Sequence, residues 1–191
     1  RPAGLAFDAD NNVYVVDSGN DRIQKFTKDG RFLAKWGTTG SGDGQFNMPW
    51  GIDLDNEGNV YIADWRNDRI QKFSSEGQWL ASFGQSGSGI GQFNRPSGVC
   101  VDRDGDIYIE DRENDRAQVL APNGRFIARF TGDHQLSKWG KEKLLSNPDM
   151  IRQRALAIAH DQGAFEKSFS HPVAVKVDNH HRIAMLDSTR G

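Results

Sequence analysis

Three aspartates recur with an arginine five residues downstream: Asp17 with Arg22, Asp64 with Arg69, and Asp111 with Arg116. Repeated carboxylates suggest two chemistries. They are either a ring of acids that exchange protons with a substrate, or ion pairs whose charge-assisted hydrogen bonds brace a loop. A feature present in every unit of a repeat is expected to be architecture, so the bracing role is preferred. A second acidic run, Asp102-Arg103-Asp104-Gly105-Asp106, resembles an oxygen-rich calcium loop. It fills the slot of the ordinary turn Asp55-Asn56-Glu57-Gly58-Asn59 and lacks the spaced ligands and closing glutamate of an EF-hand, so a turn is expected. Gly40-Ser41-Gly42-Asp43-Gly44 has the glycine of a phosphate loop but no following Lys-Ser/Thr. Like Ser86 to Gly91, it reads as a flexible linker. The five histidines (134, 160, 171, 180 and 181) form no metal-ligand pair at helical spacing. No metal and no cofactor are expected. Glu110 is the odd carboxylate, because its counterparts are the apolar Val16, Ala63 and Leu186. It needs a partner such as Arg112 or Arg116, or channel water.

The elements that hold these groups follow from the repeat. Asp17, Asp64 and Asp111 are each 47 residues apart, and Asp187 follows after 76, which leaves 29 extra residues in the last interval. Pro2, Pro49, Pro96 and Pro172 keep the same frame, as do Asp8, Asp55, Asp102 and Asp178. Each unit holds four short strand signals bounded by Gly, Asp and Asn turns; in the second unit they are Gly51 to Leu54, Val60 to Ala63, Arg69 to Phe73 and Gln78 to Phe83. Val13 and Val15 alternate with Tyr14 and Val16, so this strand is apolar on both faces and must be covered on both. Four-stranded units at this period are the mark of propeller blades. The expected fold is all-β, a propeller of antiparallel four-stranded blades, with three complete and half of a fourth. The blades are placed at about 1–37, 46–84, 93–131 and 169–191.

Composition narrows the partners. The chain has 191 residues, 36% of them hydrophobic, a net charge of −2 and one cysteine. There is no disulfide framework, no apolar run long enough to span a membrane, and no bulk attraction for nucleic acid. Cys100, between Val99 and Val101, reads as a small buried hydrophobe.

The segments following the pattern ADxxNxRIQxF, as at Ala63 to Phe73, and the Pro-Gly-Ile segment at each blade start, as at Pro49 to Ile52, resemble the NHL repeat. The resemblance covers nearly the whole chain outside the extra residues. It implies a closed propeller, usually six-bladed, with no universal catalytic site. On that basis the chain is expected to be a piece of a longer protein, the runner-up being two chains that pair to close a ring.

A propeller places the first strand of each blade on the central channel, where Ala6, Asp53, Cys100 and Lys176 share one level. Asp53 and Lys176 are candidate ligand contacts. The extra residues, about 134–163, carry helix signals: Asn147-Pro148-Asp149 forms a start, and Ile151, Ala155 and Ile158 share a face. They are expected to form a helical insertion lying on the propeller and contributing Trp139 and Arg152 to a binding surface. Blade-to-blade loops and second-to-third-strand loops share one face, so the insertion is expected beside Trp50, Trp65, Arg66, Arg95 and Arg112. Aromatic residues and arginine are the types that dominate binding hot spots. The expected function is a non-catalytic scaffold that binds a protein or small-molecule ligand through this face. An alternative is a propeller enzyme, since six-bladed relatives include a peptide-amidating lyase and metal-dependent lactonase-like hydrolases; its site would lie partly in further blades. A second alternative is RNA binding, known for some propellers joined to ubiquitin-ligase modules but disfavoured here by the acidic balance.

Overall fold

The computed structural model describes residues 1–131, 169, 171–177 and 183–187. It is all-β. The first sheet is β1 (Pro2–Phe7), β2 (Val13–Asp17), β3 (Arg22–Phe26) and β4 (Phe32–Trp36), antiparallel and in that order. A small parallel pair follows, β5 (Thr38–Thr39) with β6 (Gln45–Phe46). The second sheet is β7 (Pro49–Leu54), β8 (Val60–Asp64), β9 (Arg69–Phe73) and β10 (Trp79–Phe83), and a second parallel pair is β11 (Gln85–Ser86) with β12 (Gln92–Phe93). The third sheet is β13 (Pro96–Val101), β14 (Ile107–Asp111), β15 (Arg116–Leu120) and β16 (Phe126–Phe130). Among the described residues the fourth unit contributes two antiparallel strands, β17 (Pro172–Val177) and β18 (Ile183–Asp187). The first strands stand side by side, β1 against β7, β7 against β13, and β13 against β17.

The alternation of β8 explains why it is apolar on both sides. Val60 and Ile62 pack back onto Tyr14, Val16 and Ile23 of the first sheet. Tyr61 and Ala63 point the other way, into a second core with Phe93, Val99, Ile107 and Ile109. The second sheet is thus sandwiched between the first and the third, as blades about an axis require. The inner strands come so close that a Cβ on Gly51 would lie 2.7 Å from the Ser97 carbonyl oxygen.

One sequence expectation changes. The glycine-rich linkers are not loose. In the first, Gly40 N–H donates to Phe46 O at 2.9 Å, Gly42 N–H to Gln45 Oε1 at 2.9 Å, and Gly44 N–H to Gln71 Oε1 at 3.0 Å. The buried Phe46 ring plugs the junction, and a Cβ on Gly37 (φ +97°) would stand 2.6 Å from it. Glycine there serves close approach and a left-handed backbone, with flexibility playing no part. The helical insertion, with Trp139 and Arg152, lies outside the described residues. Among those described, helix is confined to three short 3-10 turns, Ser18–Asn20, Trp65–Asn67 and Arg112–Asn114. None of it is long and apolar enough to cross a membrane.

Candidate binding face

The repeated Asp–Arg pairs sit where the second strand turns into the third. Asp64 is fully buried and accepts from Asn47 N–H (2.8 Å), Asn67 Nδ2 (2.8 Å), Arg69 Nε (3.0 Å) and Gln71 Nε2 (3.1 Å). Arg69 in turn donates to the carbonyls of Gly42 and Gln45 in the preceding linker. Asp111 and Arg116 repeat the pattern, with Arg116 Nε at 2.6 Å and further bonds to the Ser88, Gly89 and Gln92 carbonyls. Arg22 Nε meets Asp17 at 2.8 Å. With their oxygens surrounded by donors, Asp64 and Asp111 present no lone pair to solvent and act on the blade junction.

A second aspartate in the same motif had no role assigned from sequence. Asp21, Asp68 and Asp115 end the 3-10 turns with φ of 48°, 53° and 49°. Each accepts a backbone N–H from the residue just before the next blade's proline: Met48 at 2.7 Å, Arg95 at 2.8 Å and His171 at 2.8 Å. Met48, Arg95 and His171 are themselves left-handed, with φ of 53°, 56° and 56°. That conformation is strained for a non-glycine residue and persists where the surroundings hold it. The aspartate supplies the hold, and the residue it grips presents its side chain at the rim. The signal was present in the sequence as Asn-Asp-Arg recurring in the first three units.

The rim at the junction of the second and third blades carries an aromatic cluster. Trp50, the second residue of β7, is 37% exposed, and its ring meets that of Trp65 edge-on, with centroids 5.4 Å apart. The Arg95 guanidinium lies over the Trp65 ring at 4.8 Å from its centroid, and that of Arg66 at 5.6 Å. Arg112 occupies the place of Trp65 one blade along, but its contact is Glu113, at 3.3 Å, and Glu113 also lies 3.8 Å from His171. Four of the expected face residues therefore cluster, while Arg112 belongs to a neighbouring mixed-charge group.

In the channel the structure joins Asp53 and Lys176 to each other. Lys176 Nζ is 3.0 Å from Asp53 Oδ1, and Val101 N–H donates to Asp53 Oδ2 at 3.0 Å. Burial, with the Asp53 charge beside it, pushes the Cys100 thiol up to about 12. Glu110 is fully buried, across the strands from Gly98 and Ala117, so it does not face channel water. The Asp102 turn closes on itself: Asp102 accepts from Asp104 N–H, Asp106 N–H and the Tyr108 hydroxyl, each at 3.0 Å. Its counterparts Asp8 and Asp55 make the same turn with an added lysine, Lys25 at 3.3 Å and Lys72 at 3.2 Å.

Comparison with known proteins bears on the frame more than on the rim. A family model described as the NHL repeat matches residues 1–26, 46–73 and 93–127. The protein brain tumor of Drosophila melanogaster is 43% identical over 49 residues, 26% of this chain and 5% of that protein. Virginiamycin B lyase from Staphylococcus aureus superposes with a TM-score of 0.60 at 14% identity, covering 96% of this chain and 47% of that one. A chain of a nidogen/laminin complex gives a TM-score of 0.59 at 21% identity, covering 97% of this chain and 55% of that one. This chain thus spans about half the length of those structures and a small part of the curated relative.

Proposed function

Because the chain is an NHL-repeat β-propeller protein, we propose that it works as a non-catalytic scaffold, binding a protein or small-molecule partner on the rim that carries Trp50, Trp65, Arg66 and Arg95. One observation carries this reading. The columns that build the rim differ from blade to blade, while the columns beneath them repeat. Before the proline stand Arg1, Met48, Arg95 and His171; after it stand Ala3, Trp50, Ser97 and Val173; after the strand-two aspartate stand Ser18, Trp65 and Arg112. A fixed frame with a varied, aromatic and cationic rim is how a scaffold fold carries recognition. Residues 134–163 are proposed to add to this surface. The chain leaves the third blade and returns at one point of the same rim, where Phe169 N–H donates to Thr131 O at 3.3 Å.

The lyase-like and hydrolase-like alternatives need acids or ligands free to act in the channel, and Asp53 is engaged by Lys176 and Val101. The test is a photo-crosslinking residue placed at position 95 in the full-length protein in its own host, compared with one at Asp29 in a turn on the opposite face. A single partner, captured from position 95 and lost when Trp50 is also changed to alanine, is the expected result. Capture from both positions alike, or turnover of a small molecule unaffected by Trp50→Ala, overturns it.

A further inference from the structure

We propose that the junction of the second and third blades reads an acidic protein segment, whose carboxylates engage Arg66 and Arg95 above Trp65 while an apolar neighbour rests on Trp50. This deepens the binding-rim reading and rests on it. The two guanidiniums are poised rather than floppy. Arg95 follows a left-handed backbone pinned on one side by Asp68, at 2.8 Å, and on the other by Pro96. Arg66 is placed by its own N–H, which donates to Asn47 O at 3.0 Å. Both then lie over one indole ring. A guanidinium stacked on an aromatic face keeps its N–H groups in its own plane, where they suit the paired oxygens of a carboxylate.

Charge is uneven around the rim. Among the described residues, neither Arg66 nor Arg95 has a carboxylate within ion-pair distance, whereas Arg112 meets Glu113. Two uncompensated guanidiniums therefore stand together over one ring at this junction, in a chain whose net charge is −2. Beyond roughly 10 Å such charges are screened, so this pair attracts a short acidic stretch and gives no track for a long polyanion. The Trp65 ring, already under two guanidiniums, is not offered to a stacking base. Trp50, next to it and 37% exposed, gives the apolar contact that a peptide side chain would fill.

The probe is a short fluorescein-labelled peptide of glutamates flanking a leucine, titrated into the whole chain by fluorescence anisotropy. A peptide with glutamine in place of glutamate and a single-stranded oligouridylate of equal charge are run in parallel. The acidic peptide is expected to bind, to weaken as salt rises, and to weaken about tenfold with either Arg66→Gln or Arg95→Gln. Arg31→Gln, on the opposite face, is expected to leave binding unchanged. If a glutamine variant melts early, Arg66→Lys and Arg95→Lys, which keep the charge and lose the fork, are read instead and should weaken binding less. Equal binding of the acidic and neutral peptides, or none of either, overturns the proposal. So does tighter binding of the oligonucleotide that depends on the same arginines. If cross-linking from position 95 still captures a partner while the acidic peptide fails, the rim stands and only its acidic chemistry falls; if both fail, both readings fall.

Discussion

Asp68 joins two blades through one carboxylate. Oδ1 accepts the Arg95 N–H at 2.8 Å, and Oδ2 accepts the Ser86 hydroxyl at 2.6 Å. Asp68→Ala removes both and leaves the Arg95 N–H without its acceptor. The expected cost is about 1–3 kcal/mol, measured by urea unfolding. Because the same bond holds the Arg95 backbone, partner binding should fall as well; a variant with native stability and native binding would deny the latch. Asp55 makes a pH prediction. Burial pushes its carboxyl up, but bonds from the Asn59 side chain and backbone and the nearby Lys72 outweigh this and hold it below the ordinary aspartate value. Asp8, with Asn12 and Lys25, is held low for the same reasons. These two carboxyls, titrating near pH 4 in the unfolded chain, bind more protons there than in the folded one, so their contribution to stability should be lost as pH falls from about 4 through the lowered folded values. Lys72→Met should flatten this acid-side slope, as unfolding measured across pH 2 to 6 would reveal.

At the scale of elements, the blades are joined by backbone approach as well as side chains. Gly4 and Gly51 hold the same place in successive inner strands. A Cβ on either would meet the carbonyl oxygen of the next strand, Trp50 O at 2.6 Å and Ser97 O at 2.7 Å. Neither oxygen can swing aside, because each belongs to main chain. Gly51→Ala is therefore expected to destabilise by about 1–3 kcal/mol through overpacking, and to separate β7 from β13. Faster amide exchange in those two strands, with β3 and β4 unchanged, is the reading that supports this. The third blade shows how an element can depart from its siblings. Val119 stands opposite Tyr108 where Lys25 and Lys72 stand opposite Tyr14 and Tyr61. The third blade thus trades an ion pair for packing with Cys100 of its own inner strand and Val175 of the fourth unit.

For the whole molecule, the question is what holds the fourth unit to the third across the 29 extra residues. Three described contacts do so without them: His171 N–H to Asp115 at 2.8 Å, the Ser97 hydroxyl to Pro172 O at 2.8 Å, and Val175 in the core with Cys100 and Tyr108. Deleting residues 134–162 is therefore expected to leave the sheets folded, with the far-ultraviolet circular dichroism of a β protein and a cooperative melt, while partner binding is lost or altered. Loss of the cooperative melt would make that segment part of the structural frame; unchanged binding would remove it from the proposed surface.

The repeat of Pro, Asp, Asn-Asp-Arg and Gly at a period of 47 residues was enough to establish antiparallel four-stranded blades, because alternation and turn chemistry are local and each unit states them again. The sequence also named Trp50, Trp65, Arg66 and Arg95 as rim residues, since blade topology assigns a column to a face. What it left open was every contact made between units. Asp53 and Lys176 looked like two free channel groups and are one ion pair, 123 positions apart along the chain. The glycine-rich linkers looked loose and are stapled by Gln71 and Gln118 and plugged by Phe46 and Phe93. Asp68 had no role assigned from sequence and grips the next blade. Composition specifies what a segment can do alone; which donor meets which carboxylate depends on how close packing brings the blades, and that distance exists only in the folded chain.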